Sequence, residues 1–209
     1  MSTQPTFDLQ PVEQTLVFEP VGHTYTLQPE GTELVSVTTV LKETRLVDYS
    51  MIPQDVLLNA ARRGTAVHEA LALLDEEALD EETVGDEIRG YIQAYLRFKR
   101  ESGFVPALIE HRDWNRTYRY AGTLDRTGTI GDDLVVLDFK TGMVLPGHRL
   151  QLAAYAAFLD GPRRFRRMAL QLNGDGSYRV HEFAQRDYQR ELGIFLAALA
   201  CVTWQREGA

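Results

Sequence analysis

Asp125 in the run GTLDR, Asp138 and Lys140 in the run LDFK, and Gln151 and Tyr155 four residues apart put two acids, an amine, an amide and a phenol into one short stretch of chain. Two carboxylates brought close together repel when ionised, and in an interior such a pair either shares a proton or holds a cation. Hard oxygen ligands of this kind suit Mg²⁺ or Mn²⁺, which keep several waters and use one or two carboxylates together with substrate phosphate oxygens. A cation held there lowers the pKa of its water and neutralises charge at a phosphorus centre. Lys140 would either stabilise the pentacoordinate phosphate or help orient and deprotonate the attacking water. The chemistry indicated is metal-dependent phosphodiester hydrolysis.

Several elements must bring these residues together. Leu134 to Leu137 is an apolar, β-branched run bounded upstream by Gly131-Asp132-Asp133, and reads as a core strand. Side chains alternate along a strand, so Asp138 and Lys140 share one face while Leu137 and Phe139 take the other. Tyr118 to Thr127 reads as a second strand joined to the first by a short Gly-containing loop, and antiparallel pairing would set Asp125 beside Asp138. Leu150 to Leu159 reads as a helix ended by Gly161-Pro162, on which Gln151 and Tyr155, at i and i+4, face one side.

These residues resemble the PD-(D/E)XK nuclease superfamily, and within it the RecB-like and phage-type exonuclease branch. Asp125 falls on the first catalytic aspartate of the family, Asp138 on its second acidic position, where Glu is commoner, and Lys140 on its lysine. Gln151 and Tyr155 fit the downstream Gln-x-x-x-Tyr element of the branch, and His68 in RGTAVHEAL matches an upstream helix histidine used as a metal ligand. The resemblance implies a metal held by His68, Asp125, Asp138 and the main-chain carbonyl of Phe139, with Glu110 of FVPALIE as a further carboxylate. It also implies an α/β fold with a restriction-endonuclease-like αβββαβ core, a central mixed sheet flanked by helices. It runs from about His23 to Tyr155, and only residues 122–155 are specific.

Taken singly, each of these residues has a structural reading. Asp-x-Lys is a common cross-charge on solvated strands, Gln and Tyr are ordinary on helix surfaces, and a lone helical histidine usually packs or caps. Their order along the chain carries the functional reading. Other chemistries fall away: Ala72 stands where a zincin second histidine would follow His68-Glu69, and no GxxxxGK[ST] or GxGxxG run is present. The one cysteine, Cys201, excludes an intramolecular disulfide and the four-cysteine iron–sulfur cluster of some relatives, and is expected to pack in the core of the last helix. His23, His111, His148 and His181 have no spacing that suggests ligation.

The 209 residues, 44% hydrophobic and 25% charged, suit one globular domain, 1–209, with an N-terminal decoration over about 1–50. No apolar run is long enough to span a bilayer, and Met1 to Phe18 lacks the apolar stretch of a signal peptide, so a cytoplasmic location without membrane contact is expected. The net charge of −8 matches the eight acids between Asp75 and Glu87, a stretch without Lys or Arg that reads as a solvated connector or as an acidic partner-facing lobe. Arginines gather near the motifs, and Arg119, Arg126, Arg149 and the neighbouring Thr141 are read as DNA contacts; Arg163, Arg164, Arg166 and Arg167 form a second cluster. Trp114, Tyr118 and Tyr120 interleave with the first group and would suit base stacking or sheet packing.

Along the chain, a hairpin over Thr15 to Leu27 turns at Pro20-Val21-Gly22, and Ser36 reads as the cap of a first helix. Pro53 to Leu74 reads as helical with a break near Gly64, and Ile88 to Leu96 as an amphipathic helix stopped by Gly103. A last hairpin joins Met168 to Leu172 with Tyr178 to Phe183, before a final helix from about Asp187 to Trp204. The expectation is a Mg²⁺- or Mn²⁺-dependent DNA exonuclease of recombination or repair, acting on linear single- or double-stranded ends, with a recombinase or single-strand-binding protein as possible partner. A structure-selective endonuclease, resolvase-like or restriction-like, and a DNA-binding subunit of a recombination complex stand as alternatives.

Overall fold

In the computed structural model, which describes residues 13–208, the alternating run at the centre of the chain becomes strand β6, Asp133–Lys140. Val135, Leu137 and Phe139 enter one core with Val67, Tyr95 and Phe98, while Val136 enters the other with Leu152, Tyr155 and Phe195. β6 is thus buried on both faces, and Asp138 and Lys140 follow the parity of Val136. The fold is α/β. A mixed sheet contains β1 (Thr15–Glu19), β2 (Thr24–Gln28), β3 (Thr32–Ser36), β4 (Phe104–Asn115), β5 (Tyr120–Ile130), β6, β7 (Phe165–Leu172) and β8 (Tyr178–Phe183). Helices α2 (Gln54–Asp75) and α3 (Asp86–Ser102) cover the first face, and α1 (Val37–Glu43), α4 (His148–Ala156) and α5 (Tyr188–Glu207) the second.

A gap in the sheet locates the site. β4 pairs antiparallel with β5 from Phe104↔Ile130 to Asn115↔Tyr120 and so takes one edge of β5 throughout. On the other edge β6 pairs only with Arg126 to Ile130, and β3 runs parallel only at Tyr120 and Ala121. Gly122 to Asp125 therefore have no strand beside them on that edge. α4 closes over this gap: a Cβ at Gly122 would stand 2.9 Å from the Tyr155 ring. Its position follows from topology, because β6 and β7 are parallel and a parallel pair needs a crossover, which α4 supplies.

α1 begins where expected, Ser36 Oγ accepting the Thr39 N–H at 3.1 Å, and Gly103 ends α3 with φ of 72°. Other expectations need correction. α2 runs unbroken through Gly64, because burial of Val67, Ala70 and Leu71 outweighs the cost of about 1 kcal/mol for a helical glycine. β5 starts at Tyr120 instead of Tyr118, since Asn115 Oδ1 accepts the N–H groups of Thr117 and Tyr118 and makes those residues a turn. Cys201 is exposed, on the outer side of α5. Trp114 and Tyr120 are buried in the cores, leaving Tyr118 as the exposed aromatic of that group. Of the N-terminal decoration, residues 1–12 lie outside the described residues, as does most of the segment considered for a signal peptide. Among the described residues no helix is long and apolar enough to cross a membrane.

The start of α4 depends on a close approach. A Cβ at Gly147 would lie 2.2 Å from the Leu46 carbonyl oxygen, although its φ of −68° suits any residue. Gly147→Ala should therefore destabilise through contact alone, by roughly 1–3 kcal/mol in urea denaturation. An unchanged midpoint would show that residues 46–47 yield freely.

Candidate active site

Asp125 and Asp138 meet where β5 and β6 part. Both are buried, and Asp125 Oδ2 accepts the Phe139 N–H at 2.6 Å, which ties the first acid to the backbone between the second acid and the lysine. α2 lies across the gap and brings His68 Nδ1 to 3.5 Å from Asp125 Oδ1 and 3.8 Å from Glu110 Oε1. His68, Glu110 and Asp125 each offer a ligand atom within 4.8 Å of the others. Asp138 is paired instead with Lys140, whose Nζ is 2.5 Å from Asp138 Oδ2. Lys140 Nζ donates to Gln151 Oε1 at 3.1 Å, and Gln151 Nε2 donates to the Tyr155 hydroxyl oxygen at 3.2 Å. The i, i+4 pair on α4 thus holds the lysine over the acids.

Protonation among these side chains follows from crowding. Burial works against a charged His68, but Asp125 and then Glu110 push its pKa up to about 10. Burial would also raise Asp125, yet His68, Lys140 and the Phe139 N–H together hold it below the ordinary carboxylate range. Asp138 goes the other way, up to about 6, because burial and the Asp125 charge outweigh Lys140. Lys140 is raised by Asp138 and Asp125 in spite of its burial. Burial and the same two acids push the Tyr155 phenol well above its usual value, so it remains neutral. Cationic His68 and Lys140 thus balance a carboxylate cluster. The donor set brought together, the Glu110 and Asp125 carboxylates with the His68 imidazole, fits a divalent cation in that place, and Asp138, held by Lys140, lines the same cavity.

Arg126 is corrected from its expected role as a DNA contact. It is fully buried, with Nε donating to Asp75 Oδ2 at 2.8 Å and Nη1 donating to Glu110 Oε1 at 3.2 Å and to the Asp125 carbonyl at 2.5 Å. Asp75 also accepts from Tyr95 Oη and Lys99 Nζ, so it is no part of a solvated connector. Arg149 is exposed but stands 3.6 Å from Glu191 and over the Phe183 ring, and Arg119 lies over Trp114 at the β4–β5 turn. Neither borders the acids. Thr141 follows β6, its Oγ1 3.5 Å from where a Cβ of Gly64 would be. Arg167 is buried against Glu191, and Arg166 binds Glu182 and Asp133, so that cluster braces β7.

The acids form the floor of a cavity of about 550 Å³ whose outer wall is the N-terminal hairpin, through Phe18, His23 and Tyr25, with Arg112 over the Phe18 ring. Tyr25 Oη lies 2.8 Å from Thr123 Oγ1 and fixes that wall to β5. No spacing in the sequence points to these residues, because they reach the site through sheet order. His148 was also missed. It opens α4, its Nδ1 accepting the Leu145 N–H at 3.1 Å, and burial followed by the Lys140 charge lowers its pKa to about 3. The Pro146-Gly147 pair before it is the available signal of a helix start. No protein-family model matches the chain, and no curated protein matches it significantly.

Asp138 makes a pH prediction for the metal-free protein. Its folded-state pKa of about 6 lies about two units above that of an ordinary aspartate, so the native state holds a proton that the unfolded chain has lost. Stability is lost as pH rises from about 4 to 6. In EDTA, the advantage of Asp138→Asn over wild type should grow across that window by on the order of 2 kcal/mol and then level off. Urea denaturation at stepped pH measures it; a pH-independent difference would contradict the assignment.

Proposed function

We propose that this protein is a Mg²⁺- or Mn²⁺-dependent nuclease that hydrolyses phosphodiester bonds in DNA, acting as an exonuclease of recombination or repair. The observation that carries the reading is the buried pair Asp125 and Asp138 with Lys140 held beside them by Gln151. A binding module has no need of two desolvated carboxylates, whose burial costs free energy unless a cation compensates. The element order α3-β4-β5-β6-α4-β7 is also the αβββαβ order of restriction-endonuclease-like cores, which supports membership of that group.

Asp125, Asp138, Glu110 and His68 would hold the cation, with the Phe139 carbonyl as a further ligand in the resembling family. When bound, the ion supplies charge neutralisation at the phosphate and a water of lowered pKa. Lys140 is placed to stabilise the negative charge that builds on the phosphate oxygens. Gln151 keeps the Lys140 amine from swinging away, and the neutral Tyr155 phenol anchors Gln151. The acids line a cavity of about 550 Å³ between the hairpin and α2, where a substrate strand would lie.

The test is incubation of wild type and Lys140→Ala with linear and circular DNA, single- and double-stranded, in Mg²⁺, Mn²⁺ or EDTA. Metal-dependent loss of linear DNA is expected, reduced on the order of 10²–10³-fold in the variant. Undiminished cleavage by Lys140→Ala would remove the assigned site. Cutting of closed circles would make the enzyme an endonuclease, and no cleavage in any metal would leave a DNA-binding subunit.

A further inference from the structure

A second cavity, of about 500 Å³, adjoins the first and shares Thr38, Lys140 and Gln151 with it. The Lys140–Gln151 pair is therefore a partition with the acids on one side and a separate chamber on the other. We propose that this chamber receives one unstacked nucleobase of the substrate strand, from the nucleotide next to the scissile phosphate. The proposal deepens the nuclease reading and rests on it for the place of the phosphate.

The lining argues for a base. Leu41 of α1, Val47, Tyr49 and Ile52 of the connecting segment, and Leu57 of α2 supply apolar and aromatic walls. A nucleobase has apolar faces and a polar edge, and stacking on aromatic side chains is the sequence-tolerant way to bind it. At the inner end stands His148, neutral because burial and Lys140 depress its pKa, with Nδ1 occupied by the Leu145 N–H. Its Nε2 is 3.4 Å from the Tyr49 hydroxyl, and this polar end faces the position of the base edge. The charges at the rim are Lys42, Arg45 and Asp48. Among the described residues neither Lys42 nor Arg45 has an acidic partner in an ion pair, while Asp48 accepts the Ser50 N–H at 2.8 Å. Two exposed cations, with Asp48 as the one acid beside them, border an apolar chamber and match a base whose flanking phosphates remain outside.

Ile52 and Leu57 line the chamber, and Leu57 is itself part-exposed on α2, an apolar edge that a polar-coated duplex would not cover. Placing a base there requires it to leave its stack, which costs least at a strand end or in single-stranded DNA. The chamber would thus select unpaired substrate.

The experiment uses single-stranded oligonucleotides in which one abasic residue is moved along the chain. Affinity is read by fluorescence anisotropy in EDTA and KM by cleavage in Mg²⁺. For wild type, an abasic residue at one register should raise both Kd and KM roughly ten- to hundredfold. Leu57→Trp, which fills the chamber from the exposed start of α2, should impose the same loss on intact DNA and show no further loss on the abasic strand. Tyr49→Ala, which removes the aromatic wall, is the second variant if Leu57→Trp does not fold. Mn²⁺ affinity should be unchanged in both. Intact and abasic strands bound equally by wild type, or Leu57→Trp and Tyr49→Ala indistinguishable from wild type, would overturn the proposal. An abasic penalty in anisotropy without any cleavage would reject the nuclease reading and keep the chamber; no binding of DNA would reject both.

Discussion

Two carboxylates are forced together in the interior at the point where β5 and β6 separate, and the neighbouring charges answer to that repulsion. Lys140 and His68 approach the acids from α4's side and from α2. Their positive charges offset those of the acids, and a proton on Asp138 removes part of the remainder. The gap between β3 and β6 along one edge of β5 is what makes room for this cluster. A continuous ladder would fill the space with backbone and place the acids against it.

A second buried network holds the first in register. Arg126 joins Asp75 at the end of α2 to Glu110 on β4 and to the Asp125 carbonyl on β5, so one guanidinium connects the three elements that carry His68, Glu110 and Asp125. Its ring contact with Phe139, 5.1 Å from guanidinium carbon to ring centroid, adds β6. Breaking a buried pair of this kind leaves an uncompensated charge and is far more costly than its net contribution suggests. The strand that carries the catalytic candidates is therefore fixed on one face by Arg126 and on the other by the relay from Lys140 through Gln151 to Tyr155.

What was legible in the sequence was local. Alternation from Leu134 to Lys140 separates the faces of β6, the i, i+4 spacing places Gln151 and Tyr155 together, and Ser36 caps α1 through its own hydroxyl. The rest depends on chain segments far apart. Arg126 beside Asp125 reads as a phosphate contact because nothing nearby reveals Asp75, 51 positions away, as its buried partner. Gly64 reads as a helix break because propensity counts only the glycine, while the structure also counts the buried side chains that follow it. Glu110 reaches the site through a left-handed backbone conformation, φ of 44°, that no residue pattern on β4 announces. The hairpin wall and the chamber beside His148 arise from sheet order and from the path of residues 44–53, which have no periodicity to read.

The most direct measurement is the affinity of the purified protein for Mn²⁺, followed by electron paramagnetic resonance for wild type, Asp125→Asn and Asp138→Asn. The account predicts a bound ion in wild type and a loss of affinity of at least about tenfold in each variant, since each removes one charged oxygen donor and leaves the volume unchanged. Equal Mn²⁺ affinity in all three proteins would mean that the acids at the β5–β6 parting do not hold a cation, and the central claim would fall.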